Sequence, residues 1–314
     1  MELLEKLEHY AATDACPMHM PGHKRQDVGE GLPWELDITE IDGFDNLHDA
    51  QGVLKDGMDR AARLYGSKRT FFLVGGSTCG ILAGICAAAR PGDTVLLPRG
   101  CHKSVYHALE LRDLKPVYLE RPWLASEGVT GPISPEAVEQ QLNAHPEIRT
   151  LCITSPTYYG VLSDLPALAE IMHHHGGILV VDGAHGAHLP FLGDYGLSAA
   201  DLLVVSAHKT LPAPGQTALL FSGGAFSHAD LRRAGSIYGS SSPSYPMMAA
   251  LDLCRAHMLE GGVDAYRKTA EEVARLRQIF PALTDRDAPL DPTRLVLYAP
   301  DGYAAQEALE ARNV

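Results

Sequence analysis

The chain has 314 residues and six cysteines, Cys16, Cys79, Cys86, Cys101, Cys152 and Cys254, yet no two of them form a Cys-x-x-Cys pair. In a chain this long, neither a zinc site nor a disulfide framework is expected. Basic residues are also few. Lys and Arg number 26 against 39 Asp and Glu, which leaves a net charge of −13. A nucleic-acid binder carries a basic stripe, so no nucleic-acid partner is expected. The acidic balance is compatible with a cationic ligand. The longest apolar stretch, near 80–89, is too short for a membrane span. The opening MELLEKLEHY sets Leu3, Leu4, Leu7 and Tyr10 on one helical face. It lacks a basic segment followed by an apolar run, so no secretory signal is expected and a cytoplasmic setting is the default. Internal repeats and low-complexity tracts are missing too.

What is present is a hydrophobic fraction of 46%, enough for a substantial core. Apolar runs at 70–74, 95–97, 116–119, 150–154, 178–181, 202–205 and 218–221 read as strands. Between them, helical periodicity is seen at 57–65, 79–89, 102–111, 135–143 and 165–175. Ser134 is a natural N-cap, with Pro135 at the first helical position. This alternation predicts an α/β fold, a mostly parallel seven-stranded sheet with helices on both faces. Residues 31–52 read as irregular, and 236–254 as a loop feeding a helix that runs to about 259. An amphipathic helix over 263–280 presents Val263, Tyr266, Ala270, Val273 and Ile279 on one face. A strand at 294–298 and a helix at 303–311 follow. The expected organisation is an N-terminal helix and arm (1–50), a large domain (51–260), and a linking helix with the start of a C-terminal domain (261–314).

Residues 177–212 organise the rest. Each of two apolar strands here ends in polar residues: Asp182 and His185 after the first, Ser206, His208 and Lys209 after the second. Ligands of an open parallel sheet sit outside the carboxyl ends of its strands. A carboxylate, two imidazoles, a hydroxyl and an amine should therefore meet in one crevice. Singly, such an Asp is usually a turn or cap residue and such a Lys is usually exposed. Together they match what pyridoxal phosphate requires, a lysine to form a Schiff base and an acid to pair with the pyridinium nitrogen.

Two further turns complete the set. Gly75-Gly76-Ser77-Thr78-Cys79-Gly80 lies between a strand and a helix. It is neither a Walker loop nor G-x-G-x-x-G. It reads as an ordinary capped turn or as an anion cradle of backbone N–H groups and two hydroxyls. His102 follows the next strand, as a cap-region residue or as an imidazole lying flat on the cofactor ring. His185 and His188 are three apart, but no carboxylate or Cys completes a metal site there, and no metal is expected. His173, His174 and His175 suit a helix C-terminus.

The motifs MPGHK (20–24), FFLVGGST (71–78), CHKS (101–104), SPTYYG (155–160), VDGAHGAH (181–188), SAHKTLP (206–212) and SSSPSYPMMAALD (240–252) occur in order. With them the chain resembles the Orn/Lys/Arg decarboxylase family of fold type I (aspartate aminotransferase-like) pyridoxal phosphate enzymes. The resemblance covers about residues 10–260. It implies decarboxylation of a basic amino acid (arginine, lysine or ornithine) to a polyamine-type amine and carbon dioxide. It also implies that Lys209 carries the cofactor, Asp182 pairs with the ring nitrogen and His102 stacks on the ring. Gly76, Ser77, Thr78, Ser206 and His208 would hold the phosphate. His185 would lie near the reacting carbon, and Thr157 would approach the ring hydroxyl. His23 and Lys24 would shape the entrance. In such enzymes the segment around Ser242 reaches the partner's cofactor, so a homodimer or higher homo-oligomer is implied. Gly183 departs from the Glu of many relatives, and only the first strand and helix of the family's C-terminal domain are present. Aminotransferase or aldolase chemistry on the same cofactor, or a truncated, non-catalytic homologue that binds it, are the alternatives.

Overall fold

The computed structural model describes residues 2–17, 20–21, 23–26, 33–286 and 288–313. Helix α1 (Glu2–Ala11) buries Leu3 and Leu7, and α2 (Val53–Leu64) leads into β1 (Arg69–Leu73). Next come α3 (Gly76–Ala88), β2 (Thr94–Pro98), α4 (Lys103–Leu111) and β3 (Lys115–Leu119). A small hairpin of β4 (Trp123–Leu124) and β5 (Val129–Thr130) precedes α5 (Pro135–Ala144). The chain continues through β6 (Thr150–Thr154), α6 (Leu165–His174), β7 (Ile178–Asp182), β8 (Leu202–Val205), the single turn α7 (Ala207–Thr210) and β9 (Ala218–Ser222). Helices α8 (His228–Tyr238), α9 (Tyr245–His257), α10 (Val263–Ile279) and α11 (Gly302–Glu310) complete it.

The seven-stranded sheet has the order β1-β9-β8-β7-β6-β2-β3. Pairing is parallel from β8 through β7, β6 and β2 to β3, while β9 runs antiparallel to both β8 and β1. The expected mostly parallel sheet is therefore present. Because β9 is reversed, β1 points the same way as β8. The carboxyl ends of β1, β2, β6, β7 and β8 all leave the sheet at one edge, and β9 begins there.

Strands β6, β7 and β8 are buried nearly throughout, as a sheet covered on both faces requires. Helix α3 packs over β7, β8 and β9 and buries Cys79, Ile81, Ala83 and Ile85. Gly80 sets its approach. A Cβ there would lie 2.6 Å from Leu73 Cδ1 and 2.7 Å from Val204 Cγ1. A fully buried Leu or Ile in this core, such as Leu96 or Ile153, contributes about 2 kcal/mol.

Several elements differ from expectation. The loop expected from residue 236 is instead partly helix, because α8 extends to Tyr238. It is opened by a capping box in which Ser227 and Asp230 satisfy each other's backbone N–H groups. The strand expected at 294–298 reduces to a single bridge between Leu297 and Ala282. Strand geometry persists only where a neighbour takes up its backbone groups, and around this bridge the bonds are Leu283 N–H to Val296 O and Tyr298 N–H to Pro281 O. On the expected face of α10 only Val273 is fully buried, and Ile279 is 56% exposed. Residues 31–52 contain two short 3-10 turns, Trp34–Leu36 and Leu47–Asp49, with 31–32 outside the described residues. A second small core joins Val129 of the hairpin to Val161, Leu283, Ala288 and Leu290.

Candidate active site

Five turns at the common edge of the sheet bring chemistry together. After β7, the Asp182 carboxyl is buried (3% exposed) and accepts the Ala184 N–H at 3.1 Å. Burial pushes its pKa up to about 6, and the Ala184 bond and the Lys209 ammonium oppose that rise only in part. A buried carboxylate in this condition is a receptor for a cation. Three residues on, His185 Nε2 lies 3.5 Å from Lys209 Nζ. Desolvation, followed by the charges of Lys209, Arg294 and His102, lowers the His185 pKa to about 4, so the imidazole is neutral at pH 7. The exposed ring of Tyr158, from the turn after β6, meets His185 edge-on at 5.6 Å.

After β8, Ser206 Oγ donates to Ser77 Oγ at 2.7 Å, which ties this turn to the one after β1. Lys209 sits on the one-turn helix α7 and is exposed. His208 faces the start of β9, where its Nδ1 is 2.9 Å from Thr217 O. Helix α3 begins at Gly76 with no side chain capping it, so the N–H groups after Gly76 in its first turn are open to an anion. Gly76 has φ +74, a left-handed conformation that costs an L side chain, and its N–H donates to Gln216 O at 2.7 Å. The space where a Cβ would stand is empty within 4 Å. Thr78 is exposed beside it.

After β2, His102 is the N-cap of α4. Its Nδ1 accepts from Ser104 N–H at 3.3 Å and lies 2.8 Å from Ser104 Oγ. Burial and then the Lys209 charge lower its pKa. The two readings of His102 are thus compatible, since the cap fixes the ring while leaving it exposed. Thr157 is buried, and its Oγ1 accepts the Val161 N–H at 3.1 Å. Ser242 stands apart. It is exposed on the loop before α9, with its N–H bonded to Ser240 Oγ. His23 contacts Asp37 at 3.4 Å and packs against Trp34, while Gly22 of the same motif lies outside the described residues.

Residues that the sequence did not single out lie alongside these. Gln216 and Thr217 enter because β9 starts at the site edge. Asp291, Thr293 and Arg294 enter because the segment after α10 folds back onto the turn at 157–162. Leu162 N–H donates to Pro289 O and Asp291 N–H to Gly160 O. His188, read from sequence only as half of an unlikely metal pair, is 3.1 Å from Asp291 Oδ1.

The architecture defines the class first. This is the large domain of the fold type I pyridoxal phosphate enzymes. The lysine decarboxylase LdcF of Francisella novicida superposes with a TM-score of 0.75 at 21% identity, over 94% of this chain and 50% of that one. The ureidoglycine-glyoxylate aminotransferase of Bacillus subtilis superposes with a TM-score of 0.66 at 16% identity, over 83% of this chain and 74% of that one. The chain belongs to the Orn/Lys/Arg decarboxylase family, whose major-domain pattern matches residues 2–293. It is 36% identical to the uncharacterised protein YaaO of Bacillus subtilis over 99% of this chain and 70% of that one. It is 32% identical to an arginine decarboxylase of the same organism over 86% of this chain and 57% of that one. The chain thus spans between half and about two-thirds of the length of these decarboxylases and YaaO.

Proposed function

We propose that this chain binds pyridoxal phosphate through Lys209 and acts in decarboxylation of a basic amino acid, releasing carbon dioxide and a polyamine-type amine. The observation that carries the reading is the pairing of Asp182 with Lys209. A buried carboxyl waits at the end of one strand for a cation, and an accessible amine stands at the end of the next. The residues fit the cofactor on their own chemistry. The open N–H groups in the first turn of α3, the hydroxyls of Ser77, Thr78 and Ser206, and the empty volume at Gly76 suit a phosphate, with His208 adjoining. When bound, pyridoxal phosphate supplies an electron sink for the pair released from the α-carbon.

The chain's residues divide the remaining work. Lys209 Nζ would supply the amine that holds the cofactor. Asp182 would hold a proton on its ring nitrogen by charge pairing. The exposed imidazole of His102 would offer a flat face to the ring, and Thr157 would serve its hydroxyl. Neutral His185, within reach of Lys209 Nζ, would orient the lysine by accepting a hydrogen bond from it. Support for a basic substrate comes from the named activities of the relatives, arginine decarboxylases in Bacillus and Halalkalibacterium and lysine decarboxylases elsewhere. The exposed Ser240–Ser242 loop is consistent with a homodimer in which Ser242 serves the partner's site.

Borohydride reduction of protein equilibrated with pyridoxal phosphate, followed by peptide mapping, tests the site. The label belongs on Lys209, and a label elsewhere overturns the assignment. Product analysis with arginine, lysine and ornithine tests the reaction. Equal amounts of amine and carbon dioxide are expected. A keto acid would establish transamination instead, and a labelled Lys209 with no turnover would leave only a cofactor-binding domain.

A further inference from the structure

Helix α7, which carries Lys209, is a single turn. An isolated turn of helix is unfavourable and leaves its last carbonyls without intrahelical partners. One of these, Thr210 O, immediately follows Lys209 and receives the hydroxyl of Tyr266 from α10. The Tyr266 ring stacks on His188 at 5.6 Å and 25°. His188 in turn lies 3.1 Å from Asp291 Oδ1 and 2.9 Å from Thr293 Oγ1, and Thr293 donates to the same Asp291 oxygen at 2.8 Å. The His188 and Asp291 side chains are each 1% exposed. A continuous path of contacts therefore runs from the segment after α10, through a buried histidine, to the backbone beside the lysine.

We propose that Tyr266 is a positioning residue for Lys209, held in place by His188, and that the Asp291–His188 pair is the clasp through which the segment at 288–294 fixes that lysine. The proposal rests on the reading of Lys209 as the cofactor lysine, and it assigns a task to residues outside the crevice. Three features make the clasp specific. The segment is anchored on both sides, since Arg277 Nη2 donates to Asp291 O and Arg294 O at 3.1 and 2.7 Å, and Asp291 N–H donates to Gly160 O. The ring of Tyr266 has a stacking partner independent of its hydroxyl, so loss of the hydroxyl alone should leave the ring in place. Finally, α7 has few bonds of its own across its C-terminal end, chiefly Leu211 N–H to Ala207 O.

The test reads backbone hydrogen exchange in the cofactor-free protein. It compares wild type, Tyr266→Phe, His188→Ala and, as a control, Tyr238→Phe, whose hydroxyl meets Cys86 elsewhere. Removing one such hydrogen bond is expected to speed exchange over 207–211 about fivefold in Tyr266→Phe. Capture of pyridoxal phosphate by Lys209, stopped with borohydride, should slow in the same variant. His188→Ala should loosen both 207–211 and 288–293, whereas Tyr238→Phe should change neither. Unchanged exchange over 207–211 in Tyr266→Phe, or an equal change in Tyr238→Phe, overturns the clasp. If His188→Ala does not fold, the Tyr266→Phe comparison decides alone. A wild-type label on a different lysine refutes the cofactor reading, and the exchange data still decide whether Tyr266 holds α7.

Discussion

Asp182 offers a measurement made without any cofactor. Its carboxyl has an ordinary value of 3.8 and is pushed up to about 6 in the fold, chiefly by burial. The folded chain therefore binds more protons than the unfolded chain between about pH 4 and 6. Stability contributed by the protonated acid is complete below the unfolded value and is lost as pH rises through the folded one. About two units at about 1.4 kcal/mol each give a loss of about 3 kcal/mol by neutral pH. Asp182→Asn replaces the acid by a neutral group of the same shape, and its oxygen can still accept the Ala184 N–H. Cofactor-free Asp182→Asn should therefore be more stable than wild type at pH 7.5, by up to about 3 kcal/mol, or several degrees in Tm. The two should converge below about pH 4. Calorimetry or urea titration of both proteins across pH 4–8 provides the assay. Equal stabilities at pH 7.5, or a gap that widens toward low pH, would refute the argument that burial strains this carboxylate. In wild type, pyridoxal phosphate should restore the stability that Asp182→Asn gains by itself, and the same variant should lose most turnover.

Other expectations follow from the same geometry. Asp291 is the opposite case. Burial raises its pKa, but His188 and Thr293 outweigh burial and hold it below the usual range, so its contribution is present at neutral pH and fades on acidification. Asp291→Asn should cost about 3 kcal/mol at pH 7, measured by denaturant titration. The His185 imidazole, lowered to about 4, should show no titration above pH 5.5 by NMR, and Lys209→Met should raise its value by removing a neighbouring charge. Gly80→Val would drive a side chain into Leu73 and Val204 and should destabilise the protein by about 3 kcal/mol. Ser242→Arg should lower the mass seen by light scattering if that loop lies between two copies. An unchanged dimer that keeps its cofactor would exclude the shared site.

The sheet was legible because β6, β7 and β8 are uninterrupted apolar runs, and a strand covered on both faces has no other way to read. Asp182, Lys209 and Ser206 were legible because a polar group directly after such a run is out of place in a core. The hairpin at 123–130 was not, since two-residue strands carry no periodicity. Helix α8 was hidden by Gly235 and by the glycines around it, although the Ser227–Asp230 box marked its start. The strand expected at 294–298 has the right composition but makes only a single bridge, to Ala282. The His188–Asp291 contact joins positions 103 apart, and no local pattern announces a partner at that distance. Gln216 and Thr217 became neighbours of the site only through the reversed direction of β9.

That reversed strand also sets the order in which the chain can be finished during synthesis. Strand β1 borders β9 alone, with Arg69 opposite Ser222 and Leu73 opposite Ala218. From the time β1 leaves the ribosome, about 150 further residues must be made before its neighbour exists, on the order of ten seconds at ordinary elongation rates. Throughout that interval Phe71 and Phe72, both buried in the finished fold, have no sheet to join. The turn at Gly76–Thr78, which hangs from β1, cannot take up its place opposite Ser206 either. The parallel strands β2, β3, β6, β7 and β8 can assemble as they emerge, but the half of the crevice built on β1 closes only once β9 has been made.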